Sequence, residues 1–238
     1  MGERDRDRKA PVKAGRRGTG MPGGARGLLV RLEAEVRRRL ETTPACHDWD
    51  HTHRVRVNAR QLLRAEGADP LVVEAAALLH DLGRAVEMGD QGKTCHAELG
   101  ARLVPEVLCD LGVTDATLIR RVADCVRTHR YRARRGAPDS LEAKVVYDAD
   151  KLDSIGAVGI GRAFHFAGRI GARLHNHAEE ATAAASYSRE DTAYREYLVK
   201  LRLVRDRLLT ATGRRLAERR HRFMERFFRR LAEETRMA

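Results

Sequence analysis

The chain has 238 residues, enough for one sizeable core, and carries 46 Lys and Arg against 34 Asp and Glu, a net charge of +12. Its four cysteines (Cys46, Cys95, Cys109, Cys125) form no Cys-x-x-Cys pair, and no apolar run reaches the length of a signal core or membrane span. A disulfide-stapled scaffold and a helical membrane protein are therefore not expected, and a reducing, cytoplasmic setting is.

Residues 1–26 hold eight Arg or Lys against three acids, with many glycines and little apolar content, so they are predicted to be a disordered basic tail. Such a tail could contact RNA or acidic surfaces weakly, but five percent aromatic content leaves little stacking capacity. Gly15-Arg-Arg-Gly-Thr-Gly lacks the Gly-Lys-Ser/Thr ending of a phosphate-binding loop. A second basic surplus, fourteen against six, lies in 189–230, which leaves the stretch between nearly neutral. Of the 46 basic residues 40 are Arg, a bias that fits genomic base composition as well as selection for a partner.

From Leu28 onward helical periodicity recurs and strand-like alternation is nearly absent, which predicts an all-α domain. A helix opened by His51 would put His51, Val55, Asn58 and Leu62 on one inward face. In 69–83, Asp69 is a natural N-cap, Pro70 suits the first helical position and Gly83 is a stop signal, so a nearly all-apolar helix ends on His80 and Asp81. Asp150 falls in line with Val146 and Ala143. A buried carboxylate is costly unless a cation meets it. Any one of these four has a structural reading, as a hydrogen-bonded core His or a capping Asp. Together, two imidazoles and two carboxylates suit one divalent ion, Mn, Mg, Co, Fe or Zn, with positions left for water and substrate.

The order His51, His80-Asp81, Asp150, with His-Thr-His-Arg-Val after Asp48-Trp-Asp and Leu-Leu-His-Asp-Leu-Gly at the centre, resembles the HD-domain superfamily of metal-dependent phosphohydrolases. Residues 145–162 and the later Thr210-Ala-Thr-Gly-Arg-Arg-Leu-Ala-Glu-Arg-Arg-His resemble its bacterial YedJ/YpgQ-like branch, so that the likeness runs from about 45 to 235. The resemblance implies a single HD-domain helical bundle with additional C-terminal helices: a metal-binding core over 27–188, and helices over 189–238 packing on it in the same domain. It also implies that His51, His80, Asp81 and Asp150 hold the metal. The chemistry would be hydrolysis of a phosphate ester or anhydride, in a nucleotide or another small phosphorylated metabolite, by a metal-activated water with Asp81 or Asp150 as the proton-handling carboxylate. Within that class a nucleotidase or nucleoside triphosphate pyrophosphohydrolase is favoured.

Lys151 is where related enzymes hold a substrate phosphate, and it reads equally as a solvated lysine. Arg54, on the helix face of His51, reads as a phosphate contact or a partner of Asp48 or Asp50. Asp148 and Asp153 read as supporting or helix-surface residues. His96 and His129 read first as phosphate contacts or as an acid for the leaving group, next as structural, and last as ligands of a second metal. Where several HD nucleotidases carry a glutamate three residues after the motif aspartate, this chain has Arg84, and spacing alone does not give Glu87 that role.

Gly156-Ala-Val-Gly-Ile-Gly follows no strand and reads as close helix packing rather than a dinucleotide fingerprint. Residues 175–189 read as a loop or frayed helix near the pocket, a lid or an exposed segment rather than a true metal site, although His175 and His177 could bind metal adventitiously. Tyr194, Tyr197, Leu198, Leu201, Leu208, Leu209, Phe223, Phe227 and Leu231 are expected to supply faces that cover the metal core, or to pair two copies. The competing function is a non-catalytic or regulatory nucleotide-binding HD module. A cyclic-nucleotide phosphodiesterase fits less well, because the Gly-Tyr-Pro segment of that branch is missing.

Overall fold

The computed structural model describes residues 23–41, 48–90, 93–130 and 137–235, and every regular element among them is helical. Most of the segment read as a basic tail lies outside the described residues, as does Cys46. The exception is 23–26, which forms the first turn of α1 (Gly23–Leu40). Leu29, Leu32 and Val36 of α1 are buried against the core.

α2 (Trp49–Glu66) starts two residues before His51, because the Asp48 carboxylate caps it by accepting from the His51 backbone N–H at 3.1 Å. α3 (Pro70–Leu79) begins with Asp69 accepting from the Leu71 and Val72 N–H groups, with Pro70 at its first position. It is apolar all round and buried all round, as a central helix must be. Its single acid, Glu74, is buried with Arg56 at 2.8 Å and Arg60 at 2.7 Å.

His80 caps the C-terminus of α3, and a turn leads into α4 (Arg84–Gly89). Gly83 does not end the helix through a left-handed conformation, since its φ is −84°. Its small size has another use: a Cβ there would lie 2.4 Å from the His96 carbonyl oxygen. Only glycine lets the start of α5 (His96–Asp110) come this close to the turn that carries Asp81. α6 (Ala116–Thr128) then ends on His129, and α7 (Leu141–Asp153), capped by Ser140, carries Asp148, Asp150 and Asp153. α2 lies against α7 and α3, and α3 also packs on α6.

α8 (Gly156–Arg169) begins at a Gly156 with φ of 77°, pressed against the Arg220 side chain. The small residues there serve close packing. α9 (Ala178–Ala183), α10 (Ala193–Val199) and a 3-10 helix (Leu201–Arg207) lead to α11 (Ala211–Glu234), which packs on α8, α7 and α2. The buried stripe of α11 is Ala217, His221, Met224 and Phe228, while Phe223, expected to face inward, is 40% exposed. The aromatic run 223–228 offers two helical registers, and Tyr194 and Tyr197 of α10, both packed on Phe228, select the one that buries it.

Cys125 is 1% exposed, and burial pushes its thiol up to about 12, whereas Cys109 is exposed. Iodoacetamide at pH 8 is therefore expected to alkylate Cys109 and leave Cys125 unmodified in the folded protein, which peptide mass mapping checks.

Candidate metal centre

The ends of three helices deliver the ligand-type side chains to one point. His51 comes from the first turn of α2, His80 and Asp81 from the turn after α3, and Asp150 from the last turn of α7. The His51 and His80 Nε2 atoms stand 3.2 Å apart. Asp81 Oδ2 lies 3.5 Å from His51 Nε2 and 3.7 Å from His80 Nε2, and Asp150 Oδ1 lies 3.6 Å from His51 Nε2. His51, His80 and Asp81 are buried, and Asp150 is partly exposed.

The other ring nitrogens decide what this arrangement can hold. His51 Nδ1–H donates to Asp153 Oδ2 at 2.8 Å, and His80 Nδ1–H donates to the Ala77 carbonyl at 2.9 Å. With Nδ1 donating in both rings, the two Nε2 atoms face each other. Burial lowers the His80 pKa and keeps that ring neutral. Two lone pairs and two carboxylates directed at one point repel one another unless a cation lies among them. This donor set, of charge −2 with two imidazoles, fits a divalent ion. Burial opposes ionisation of Asp150, yet Lys151 and then the imidazoles outweigh it and hold the carboxyl well below its usual range.

Asp81 also has a second side. Its Oδ1 is 3.6 Å from His96 Nε2 and 3.8 Å from His129 Nε2, and those two nitrogens are 3.1 Å apart. Here too Nδ1 carries the proton: His129 donates to the Val126 carbonyl at 2.6 Å and His96 to Glu87 Oε2 at 2.8 Å. Burial drives the His96 pKa to about 2 and that of His129 to about 3. Both rings are therefore neutral near pH 7, with Nε2 an acceptor. That chemistry suits a ligand or a base, and it disfavours the leaving-group acid expected from sequence.

The remaining residues are placed as follows. Arg54 gives Nε and Nη2 to Asp153 at 2.7 and 3.2 Å, and does not pair with Asp48 or Asp50 as its nearest carboxylates in sequence suggest. Lys151 Nζ lies 2.6 Å from Asp150 Oδ2 and 5.1 Å from the Tyr147 ring centre. Asp148 points away from the site, accepting from the Leu209 and Thr210 backbones and the Thr210 hydroxyl. His175 lies apart, in a small cavity beside Tyr194 and Phe228. Among the described residues the His and Asp groups fit to hold an ion are His51, His80, Asp81 and Asp81, His96, His129, and neither includes His175 or His177.

Two acids support the site: Asp153, for which the sequence left a supporting or a surface role open, and Glu87, to which spacing gave no role. Asp153, 1% exposed, receives His51, Arg54 and Arg162; burial raises its pKa, but the His51 and Arg54 hydrogen bonds bring it to about 2. Glu87 gathers His96, Arg84 and Arg130. Arg84, standing where a glutamate was the expected pattern, instead gives Nη2 to Asp81 Oδ1 at 3.0 Å. The weak sequence signal for Asp153 was its i, i+3 spacing from Asp150 at the end of one helix.

The HD domain family model matches residues 48–155, the stretch that contains all four candidate metal-ligand residues. The YpgQ protein of Bacillus subtilis is 38% identical over 191 residues, covering 79% of this chain and 84% of that protein. The chain belongs to the HD-domain superfamily, in its YpgQ-like branch. A crystal structure of B. subtilis YpgQ in complex with ADP superposes with a TM-score of 0.67 at 33% identity, over 89% of this chain and 97% of that one. An HD-superfamily hydrolase from Bacillus thuringiensis superposes with a TM-score of 0.68 at 28% identity, over 90% of this chain and 100% of that one. The fold is thus that of HD-superfamily hydrolases, a superfamily of metal-dependent phosphohydrolases. The helical frame carries His and Asp clusters that could hold a metal, and none of the described helices is long and apolar enough to cross a membrane.

Proposed function

We propose that this HD protein is a phosphohydrolase of nucleotides, of the nucleotidase or nucleoside triphosphate pyrophosphohydrolase type, with one divalent ion held by His51, His80, Asp81 and Asp150. The observation that carries the reading is the convergence of the His51 and His80 Nε2 atoms, 3.2 Å apart, with carboxylate oxygens of Asp81 and Asp150. The ADP complex of B. subtilis YpgQ supports a nucleotide as the substrate class.

When bound, the ion supplies a Lewis acid that acidifies a water and draws charge from a phosphoryl oxygen. The chain's own residues do the rest. Asp153 and the Ala77 carbonyl fix the tautomers of His51 and His80, which keeps both Nε2 lone pairs directed inward. Asp150 is the more exposed of the two carboxylates and is the one placed to orient the attacking water, while Asp81 is enclosed by imidazoles and Arg84. Lys151, partly exposed and paired with Asp150 at 2.6 Å, is the cation at this edge of the site that would hold a substrate phosphate. Arg54 holds Asp153 with its inner edge and presents its outer edge to phosphate.

A second reading adds an ion between Asp81, His96 and His129. It is favoured by the three donor atoms lying within 4.8 Å of one another and by the unprotonated Nε2 atoms. Against it, Arg84 already brings positive charge to Asp81 Oδ1.

The test is product release from nucleoside mono-, di- and triphosphates and sugar phosphates, with Mn, Mg, Co and Fe added in turn. Pyrophosphate or phosphate release from nucleotides, absent with chelator, is the expected result. ADP binding without release across the whole panel would select the regulatory module instead.

A further inference from the structure

A cavity of about 360 Å³ lies between α8 and the segment that leads into α10. One wall is the Gly159, Arg162, Ala163 and Phe166 side of α8, and the opposite wall includes Tyr187 and Asp191. One side chain joins it to the metal centre. Arg162 lines the cavity and donates from Nη1 to Asp153 Oδ2 at 2.9 Å, the same oxygen that accepts His51 Nδ1–H at 2.8 Å.

The chemistry of the cavity differs from that of a phosphate cradle. Its cations Arg195 and Lys200 are matched by Asp191 at 3.1 Å and Glu196 at 2.6 Å, so a polyanion gains little there. Paired charges around an apolar floor suit a flat, neutral group with polar edges. Two rings stand at its mouth, Phe166 and Tyr187, with centroids 5.8 Å apart and planes at 68°. Tyr187 is 74% exposed, so packing does not account for it. Its φ is 63°, a left-handed conformation costly for a tyrosine, and it is held there by the Tyr187 N–H donating to Asp191 Oδ2 at 2.7 Å. Backbone strain that presents an exposed aromatic ring at a cavity mouth is a mark of ligand contact.

We propose that this cavity receives the nucleoside half of the substrate, with the base against Phe166 and Tyr187 and the phosphates running past Arg162 to the metal centre. The assignment rests on the nucleotide reading given above. It makes Phe166 and Tyr187 the residues that distinguish a nucleotide from a bare polyphosphate.

The experiment is titration calorimetry of the Mn-loaded protein with ADP and with inorganic tripolyphosphate, for wild type, Tyr187→Asn and Phe166→Leu. Asparagine tolerates the left-handed conformation, so Tyr187→Asn removes the ring and keeps the turn. The ADP dissociation constant is expected to rise about tenfold in either variant, as loss of a base-stacking ring predicts, with tripolyphosphate affinity unchanged. Unchanged ADP affinity in both variants, or equal weakening of both ligands, overturns the assignment. Wild-type protein that binds tripolyphosphate but not ADP overturns the cavity's role and leaves a metal-dependent phosphohydrolase standing. Failure to bind either ligand removes the nucleotide reading together with the cavity.

Discussion

Asp81→Ala is expected to lower kcat/KM by at least about a thousandfold, about 4 kcal/mol of transition-state stabilisation, with the helical fold intact. Among the described residues, Asp81 is the one shared by both groups fit to hold an ion. Asp81 Oδ2 faces His51 and His80, while Oδ1 faces His96, His129 and Arg84. Alanine removes half the carboxylate charge that offsets the ion and leaves two pairs of imidazole nitrogens facing one another. Metal content by mass spectrometry should fall along with turnover, and circular dichroism should stay that of a helical protein. Stability without metal should change little, since one buried negative charge is lost together with its repulsion toward Asp150. Full activity in Asp81→Ala would remove the site from the mechanism.

The largest expected effect on stability lies at Asp148. Its carboxylate is fully buried, with Oδ1 accepting from the Leu209 N–H at 2.8 Å and Oδ2 from the Thr210 N–H at 2.8 Å and the Thr210 hydroxyl at 2.7 Å. It thus ties the middle of α7 to the N-terminus of α11. Asp148→Ala leaves three buried donors without this acceptor, a loss of roughly 3 kcal/mol or more. For a domain of this size that lowers Tm by about 6–12 °C. Gly213→Ala should act on the same joint by crowding, because its Cβ would meet Asp148 Oδ2 at 2.2 Å and Thr210 Oγ1 at 2.8 Å. Thermal melts followed at 222 nm check both variants, and a Tm within a degree of wild type for both would show that the joint does not hold the C-terminal helices.

That joint also bears on the metal centre. Arg220 of α11 donates to the Leu152 carbonyl at the end of α7 and from Nη2 to Asn58 Oδ1 at 2.8 Å, and Asn58 Nδ2 donates to the Ala149 carbonyl at 3.0 Å. The last turns of α7 are thus also bound through their carbonyls by side chains of α2 and α11. The turn carrying Asp150 and Asp153 is therefore set in part by a helix about seventy residues further along the chain.

The four candidate metal-ligand residues are readable because each sits on an inward face defined by neighbours three and four positions away, a local pattern. The start signals at Asp69 and Pro70 are local too, and so is the all-helical class. What could not be read depends on distance along the chain. His51 and Asp153 are 102 positions apart, and Arg54 and Asp153 are 99 apart, so local spacing made Asp48 and Asp50 appear the nearer partners of Arg54. Glu87 was within nine residues of His96, but its role depends on the turn at Gly83 that brings α5 back over α4. The inward register of α11 differs from the expected one at Phe223 because Phe223 and Phe227 also lie one turn apart, and only the tyrosines of α10 select Phe228 instead.

Phosphate hydrolysis is expected to depend on a divalent ion held by the imidazoles and carboxylates around Asp81. ³¹P NMR of a nucleoside triphosphate incubated with chelator-stripped protein, followed by stepwise addition of Mn with bound ion counted by electron paramagnetic resonance, tests this. No turnover is expected before Mn, with onset as the first ion binds and loss of both binding and turnover in His51→Ala. Turnover by the stripped protein, or undiminished Mn binding and turnover in His51→Ala, would contradict it.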